Sequence, residues 1–342
     1  MPRITGSIPL ARLRGIGTLP CVVEERTGED SLIRILRSVG LPLEALDHPD
    51  LPIPVSLISD LFASSADKLG DRTLGVRIGK SMTHEAWGSW TGRSAQAPNL
   101  KIALQRLCLT IGAHLSSARM TLQQEDGYWI WRYTPPLRRD RITQYSDHLI
   151  YPMLTFAQVY LGSNWRPAWV EVNYPRDSSV QLIETLLRTS LRCGGDGIAL
   201  PLSAEDLVQP HPVEMSIVAG AQNLREITAD LVLGDAPEPA RSFSAVVSLR
   251  LLEGKSDIEG ASQMTGLGVQ GLQRRLRSHG YTYQKILDAA RCDRAVTLLT
   301  QTGLSVAEIA YSLGYDEHAS FTRAFNRWIG CSPNIFRANS AN

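Results

Sequence analysis

The stretch SVAEIAYSLGYDEHASFTRAFNRWIGCSP, residues 305–333, decides the fold of the C-terminal part of this chain. Ser305 and Glu308 have the spacing of a capping box, in which the two side chains satisfy backbone N–H groups at a helix start. A helix is therefore predicted to begin directly after Ser305. Gly314 then permits a sharp turn. A second helix is predicted over about residues 317–328, where apolar residues recur at helical spacing.

The second predicted helix has two unlike faces. Phe321, Phe325 and Trp328 recur at the spacing of a core stripe. The opposite face carries hydrogen-bonding groups around one small residue: His318, Ala319, Thr322, Arg323 and Asn326. A short helix, a turn and such an amphipathic helix are typical of a helix-turn-helix motif, whose second helix enters the major groove of DNA. The alternative interpretation is a solvated helix face.

A second stretch, GLGVQGLQRRLRSHG at residues 266–280, begins with the glycine pattern of a dinucleotide-binding site. Such a site requires a strand before the glycines, whereas SDIEGASQMT at residues 256–265 has helical character. We therefore interpret residues 256–280 as another helix-turn-helix, the first of the two along the chain. Gly266 is predicted to make its turn and Gly268 to occupy the N-cap of its second helix.

The second helix of the first motif is predicted to bury Leu272 and Leu276 and to expose a polar face. That face consists of Gln270, Gln273, Arg274 and Arg277. Arginine pairs with guanine edges and glutamine with adenine edges, so the face is chemically suited to base readout.

A connecting helix is predicted between the two motifs, with Thr282 as its cap and an apolar stripe that includes Ile286 and Leu298. About 18 helical residues give a rod of ~27 Å. Because successive major-groove faces are ~34 Å apart, one chain can present both motifs to one side of a duplex.

Composition and charge are those of an ordinary globular protein. Of the 342 residues, 43% are hydrophobic and 20% are charged, and the net charge is +1. Residues 241–342 nevertheless carry 12 Lys and Arg against 8 Asp and Glu. No apolar run reaches the ~18 residues of a membrane span and no secretory signal is evident, so a cytoplasmic protein is expected. The five cysteines and seven histidines lack metal-ligand spacing, so neither a metal nor a cofactor is predicted.

The segment VLGDAPEPARS at residues 232–242 breaks the apolar periodicity and predicts a linker. Downstream of it every pattern is helical, which predicts an all-α C-terminal domain with two helix-turn-helix motifs joined by a long helix. Upstream, helical and strand-like patterns mix, which predicts an α+β domain. Its predicted helices lie in residues 55–70, 99–116 and SSVQLIETLLRTSL (178–191), and its predicted strands lie in the hairpin RMTLQQEDGYWIWRYTPP (119–136) and in WRPAWVEVNYP (165–175).

Residues 243–338 resemble the DNA-binding domain of the AraC/XylS family of bacterial transcription regulators. The resemblance is carried by AEIAYSLGY, by SFTRAFNRWIGCSP and by the closing pair Phe336 and Arg337. It implies that base edges are read by Gln270, Gln273 and Arg274 in the first motif and by His318, Ala319, Thr322 and Arg323 in the second. The first motif departs from the family pattern at three positions, where Ser262, Thr265 and Gly268 stand in place of a small apolar residue, a leucine and a Ser or Thr cap.

Residues 22–212 resemble, more faintly, the effector-binding domain of one AraC subfamily, in patches such as GDRTLGVRIGKSM and GIALPLSAEDLVQP. This resemblance implies a small-molecule sensor that also helps dimerisation. Residues 213–242 then form a connecting helix and linker, and residues 243–338 form the DNA-binding domain. The implied partners are double-stranded DNA, an effector of unknown identity, a second copy of the chain and, for an activator, RNA polymerase.

Aromatic residues supply the candidate ligand contacts of the N-terminal domain. Trp87 and Trp90 flank a glycine, Arg93 follows them, and Trp129, Trp131 and Tyr133 alternate along one strand face. Either aromatic group can line a pocket for an organic ligand, with Arg93 pairing a ligand carboxylate. Core packing is the alternative for the strand trio, and a solvated side chain is the alternative for Arg93.

These observations predict a sequence-specific DNA-binding transcription regulator that responds to a small-molecule effector, and not an enzyme. One alternative is an enzyme with an unrecognised active site in residues 22–212, although no common catalytic motif supports it. Another is a DNA-bending protein without an effector.

Overall fold

The computed structural model describes residues 7–115, 117–137, 142–212 and 233–340. The described chain forms two compact units. The N-terminal unit contains residues 9–39 and the described part of residues 55–212, and the C-terminal unit contains residues 7–8, 40–54 and 233–340. Most of the predicted connecting helix and linker, residues 213–232, lies outside the described residues.

The N-terminal unit mixes helices with a sheet, as the sequence predicts. Its elements are β1 (Leu10–Arg12), α1 (Leu19–Thr27), α2 (Glu29–Val39), α3 (Val55–Leu69), α4 (Leu74–Lys80), α5 (Ser89–Ala95), α6 (Leu100–His114), β3 (Arg119–Glu125), β4 (Tyr128–Thr134), α7 (Thr143–Leu161), β5 (Trp169–Val172), α8 (Val180–Leu187), β6 (Ser190–Cys193), β7 (Ile198–Leu202) and α9 (Ala204–Val208). Strand β2 (Pro52–Pro54) belongs to the C-terminal unit.

Five strands of the N-terminal unit form a mixed sheet in the order β3-β4-β7-β5-β6. The predicted hairpin is confirmed, because β3 and β4 pair antiparallel around Asp126 and Gly127, which both have positive φ as a two-residue turn requires. The prediction of a helix over residues 178–191 is wrong at the C-terminal end of that helix. It stops at Leu187, and Leu191 lies in β6 opposite Val170, because parallel pairing with β5 overrides the helical spacing.

Helices α4 and α7 approach each other closely. A Cβ atom added at Gly75 would lie 2.3 Å from the carbonyl oxygen of Gln144, and one added at Gly79 would lie 2.5 Å from that of His148. Glycine is therefore required at both positions. The close contact holds α7, and with it the side chain of His148, in the interior of the unit.

A buried ion pair also holds α7. Asp147 is fully buried, and its carboxylate accepts a hydrogen bond of 2.6 Å from the guanidinium of Arg72 and another from the hydroxyl of Tyr174. Arg72 also donates to Asp177 at 2.8 Å. The ion pair and the hydrogen bonds offset the free-energy cost of burying this carboxylate.

The described residues from 233 onward form only helices, as the sequence predicts. They are α10 (Ala240–Leu251), α11 (Ile258–Met264), α12 (Val269–Arg277), α13 (Tyr283–Gln301), α14 (Val306–Ser312), α15 (His318–Ile329) and α16 (Pro333–Ser340). Within the described ranges, none of the helices has both the length and the hydrophobicity that a membrane span needs.

The segment of residues 40–54 packs with these C-terminal helices. Its strand β2 contacts α10, and Glu44 forms an ion pair with Arg294 of α13. The C-terminal unit therefore includes a segment that lies almost 200 positions before α10 in the sequence.

Candidate nucleic-acid interface and pocket

The second helix-turn-helix motif forms as predicted. The backbone N–H of Ser305 donates to the Glu308 carboxylate at 2.7 Å, and the backbone N–H of Glu308 donates to the Ser305 hydroxyl at 3.2 Å, which completes the capping box. Helix α14 begins at Val306 and is followed by Gly314, whose φ of 72° makes the turn into α15.

Helix α15 buries one face and exposes the other. Phe321 and Phe325 are fully buried in a cluster with side chains of α13 and α14, and Trp328 packs against that cluster. On the opposite face, His318, Arg323 and Asn326 are exposed, and Ala319 and Thr322 are partly buried. The hydroxyl of Thr322 donates to the backbone of His318, and Arg323 donates to the Ser320 hydroxyl at 3.1 Å. The polar face thus remains available to a partner.

Arg291 is a positioning residue that the sequence analysis missed. It projects from α13 and is buried, with its guanidinium donating to the backbone oxygens of Leu313 at 2.9 Å and Gly314 at 3.0 Å. The guanidinium also lies 4.2 Å from the ring centre of Tyr315. These bonds satisfy carbonyl groups where α14 ends, so Arg291 ties the turn of the second motif to the connecting helix. In the sequence, the position of this arginine within the apolar stripe of α13 was the sign that could have indicated its role.

The first motif also forms as predicted. Helix α11, and not a strand, precedes the glycines, which excludes the strand-turn-helix of a dinucleotide site. Gly266 has a φ of 66° and makes the turn, and Gly268 is the N-cap of α12. Leu272 and Leu276 are fully buried. The outer face carries Gln270, Arg274 and Arg277, which are exposed, and Gln273, which is partly buried.

Hydrogen bonds accommodate the polar residues by which the first motif departs from the family pattern. Ser262 is buried, and its hydroxyl donates to the backbone oxygen of Leu267. The hydroxyl of Thr265 donates to the backbone oxygen of Ser262 at 2.7 Å. Both hydroxyls therefore support the turn, in place of apolar packing.

We expect Gly268→Ser to stabilise the first motif by a few tenths of a kcal/mol, the usual difference between glycine and serine at an N-cap. Gly268 has extended φ and ψ of −71° and 148°, its side-chain position is open, and α12 has no side-chain cap. Urea unfolding of the full chain measures the change. Gly303→Ser is the matched control, because Gly303 is equally open but does not cap a helix. A marked loss of stability in Gly268→Ser alone would contradict the cap.

The structure places a pocket of about 50 Å³ inside the N-terminal unit. Three of the residues that the sequence indicated, Trp87, Trp90 and Tyr133, lie in its wall. The indole of Trp90 is buried and donates to the Thr110 hydroxyl at 2.7 Å, which fixes the ring. The other lining residues are Ala11, Arg12, Arg14, Gly15, Ile58, Ile111, Leu115, Met120, Tyr145, His148 and Leu149.

The remaining three candidates lie outside this pocket. Arg93 is exposed, and Trp129 packs under the ammonium of Lys101 at 5.4 Å from its ring centre. Trp131 is fully buried, with its ring centre 5.7 Å from that of Phe156. Alternation along β4 therefore does not bring the aromatic trio into one site, because only Tyr133 reaches the pocket.

Two polar groups from α7 reach the pocket. The hydroxyl of Tyr145 lies 3.2 Å from that of Tyr133, and burial raises the pKa of Tyr145 to about 12. His148 is fully buried against Phe62, and burial lowers its pKa to about 4, so its ring is neutral at pH 7. Backbone groups of Tyr145, Gln144 and Gly15 contact the ring and offset part of this lowering of the pKa.

Two segments of the chain match known families. Residues 31–211 match the family described as the arabinose-binding domain of AraC transcription regulator, N-term, and residues 261–339 match a family described as a helix-turn-helix domain. The first match alone covers more than half of the chain.

Two relatives from Pseudomonas aeruginosa share sequence with the chain. The HTH-type transcriptional regulator VqsM is 47% identical over 66 residues, which are 19% of this chain and 20% of the relative. The Ornithine utilization regulator is 40% identical over 81 residues, 24% of each chain. The matched segments thus span about a quarter or less of these relatives. The crystal structure of the transcriptional regulator CdpR from the same organism aligns at a TM-score of 0.40 and 21% identity, over 89% of this chain and 97% of that one.

Proposed function

Because the chain belongs to the family of AraC transcription regulators, we propose that it binds specific DNA sequences and regulates transcription in response to a small-molecule effector. One observation carries the proposal. Two helix-turn-helix motifs with exposed polar faces are joined by a helix of 19 residues, and the same chain contains a second unit with an internal pocket.

The proposed base-reading surface consists of the outer faces of α12 and α15. Its residues are Gln270, Gln273, Arg274, Arg277, His318, Ala319, Thr322 and Arg323. The proposal is supported by solvent exposure, which is full for five of these residues and partial for Gln273, Ala319 and Thr322. The burial of the opposite faces also supports it, because that burial orients each helix with its polar side outward. Long side chains with several hydrogen-bond donors suit readout in the major groove.

We expect Arg274→Ala and Arg323→Ala each to weaken binding to the specific site by about 1 to 3 kcal/mol and to leave nonspecific binding nearly unchanged. Each arginine is exposed on a proposed reading helix, where a bidentate bond to a guanine edge is possible. Affinities for a specific and a scrambled duplex, measured over a salt series, test this result.

Lys255→Ala is the comparison variant for this experiment. Lys255 is exposed and lies in the loop between α10 and α11, outside both reading helices. If Lys255 contacts phosphate, its loss weakens binding on every sequence alike and lowers the salt slope by about one ion. Equal losses on specific and scrambled duplexes in the arginine variants would assign these arginines to phosphate contacts as well.

The proposed effector site is the pocket of the N-terminal unit, with Trp87, Trp90 and Tyr133 as contacts. Ligand sites are concave and mostly apolar with a few convergent polar groups, and this pocket has that composition. The alternative, an enzyme, predicts turnover. Incubation of the chain with candidate metabolites distinguishes a regulator from an enzyme, because a regulator releases its ligand chemically unchanged.

Further partners follow from the same proposal. A homodimer is proposed through the N-terminal unit, with RNA polymerase as a partner if the protein activates transcription. The cytoplasm is the proposed location, because a bacterial regulator acts on the chromosome there.

A further inference from the structure

We propose that the pocket of the N-terminal unit takes a small uncharged molecule with an apolar body and a carbonyl oxygen, and that the paired hydroxyls of Tyr133 and Tyr145 bind this oxygen. This assignment rests on the proposed function, in which the same pocket holds the effector. It adds the charge and the polarity of that effector and the groups that recognise it.

One hydroxyl hydrogen of the tyrosine pair is not used within the pair. Tyr133 of β4 and Tyr145 of α7 both line the pocket, and only 5% and 3% of their surfaces are exposed. Their hydroxyl oxygens are 3.2 Å apart, and a hydrogen bond between two hydroxyls uses one of the two hydrogens. Among the described residues, neither hydroxyl has another hydrogen-bond partner. The second hydrogen is therefore left for an acceptor in the pocket, because a buried donor without an acceptor is costly.

The pair remains protonated at neutral pH. Burial raises the pKa of Tyr145 to about 12 and holds the pKa of Tyr133 well above its ordinary value. Neither hydroxyl therefore ionises near pH 7. A carbonyl oxygen is the simplest match, because it accepts hydrogen bonds and brings no hydrogen that would need a further acceptor.

The ionisable groups of the wall favour an uncharged ligand. Arg12 and Arg14 line the pocket, but each already takes part in another interaction of the chain. The ring of His148 is neutral at pH 7, because burial lowers its pKa to about 4. Among the described residues, no aspartate or glutamate lines the pocket, so it does not suit an ammonium group either. Burying an ion without its own counter-ion costs more free energy than burying a carbonyl group that is hydrogen-bonded.

The rest of the wall is mainly apolar. The ring centres of Trp87 and Trp90 are 6.2 Å apart. The other large apolar side chains of the wall are those of Ile58, Ile111, Leu115, Met120 and Leu149. These groups suit an apolar ligand body. The volume of about 50 Å³ admits a few non-hydrogen atoms, because one water molecule needs about 10–15 Å³ by the same measure.

The experiment titrates the full chain with small probes in sealed NMR tubes. The ketones are 2-butanone and cyclopentanone. The comparison compounds are 2-methyl-1-butene, in which a methylene group replaces the oxygen of 2-butanone, and two ions of similar size, propanoate and sec-butylammonium. We expect at least one ketone to bind about tenfold or more tightly than both ions, because an ion loses its hydration in the pocket without gaining a counter-ion.

The double variant Tyr133→Phe/Tyr145→Phe tests the hydroxyls. It removes both partners of one hydrogen bond and keeps both rings, so the fold should tolerate it. We expect the ketone affinity to fall about fivefold, the size of one hydrogen bond, and the affinity for 2-methyl-1-butene to stay within about twofold.

Tyr128→Phe is the matched control. Tyr128 lies on the same strand as Tyr133, but it is exposed and does not line the pocket, so the ketone affinity should be unchanged. Circular dichroism checks that each variant is folded. The comparison of ketones with ions on the unmodified chain needs no variant.

Equal or tighter binding of either ion overturns the assignment, as does the failure of both ketones to bind at about 10 mM, a concentration that detects even weak complexes. An unchanged ketone affinity in the double variant, or an equal loss for the ketone and the alkene, also overturns it. The proposed function is tested separately by sequence-specific DNA binding and by a transcriptional reporter. If the reporter responds only to an ion or to a molecule without an acceptor oxygen, the proposed function stands and the carbonyl assignment fails.

Discussion

Phe321→Ala is expected to lower the free energy of unfolding of the C-terminal unit by about 3–5 kcal/mol, the usual cost of removing a buried phenylalanine. The ring of Phe321 is fully buried, and its centre lies 5.7 Å from that of Phe325 and 5.8 Å from that of Tyr315. Its cluster joins α13, α14 and α15. A cavity at this point removes the contact that holds α15 against the rest of the motif.

Urea unfolding of the full chain measures the loss, and binding to a specific duplex measures its consequence. Tyr311→Ala is the matched control, because Tyr311 lies on α14 of the same motif with 60% of its surface exposed. A change within about 0.5 kcal/mol is expected there. Similar stability losses in Phe321→Ala and Tyr311→Ala would show that the packing of α15 is not as described.

Gly314→Ala is expected to destabilise the second motif by about 2–5 kcal/mol, from two separate causes. Gly314 has a φ of 72°, a conformation that costs a residue with a Cβ atom roughly 1–2 kcal/mol. A Cβ atom would also lie 2.5 Å from the backbone oxygen of Gly254, and relief of such a clash typically costs about 1–3 kcal/mol. Loss of specific DNA binding should follow, because this turn orients α15.

Gly330→Ala separates the two causes. Gly330 ends α15 with a φ of 87°, but its side-chain position has no neighbour within 4 Å. It should therefore show only the conformational cost of about 1–2 kcal/mol. Equal unfolding free energies for the two variants would contradict the close approach of Gly254 to the turn.

Features with a local cause could be predicted from the sequence. The capping box of Ser305, the N-cap at Gly268 and the stripe of Phe321 and Phe325 each depend on residues within a few positions of one another. The Asp-Gly turn of the hairpin is local in the same sense. All of these predictions are confirmed by the structure.

Features that depend on tertiary contacts could not be predicted in this way. The pocket joins Arg12 near the start of the chain to His148 on α7, and neither residue stands out in its own segment. Arg291 interrupts the apolar stripe of α13, but only its bonds to the turn show what it does. The packing of residues 40–54 with the C-terminal helices is likewise invisible to local periodicity. The base-reading residues and the domain boundaries stay predictions.

The central claim is that each helix-turn-helix motif reads its own segment of one DNA duplex. Selection of binding sites by the full chain from a pool of random duplexes tests it most directly. The account predicts two enriched sequence blocks, with centres about 10–10.5 base pairs apart, because the two reading helices enter successive major-groove faces. Enrichment of a single block, or of no sequence at all, would contradict the claim.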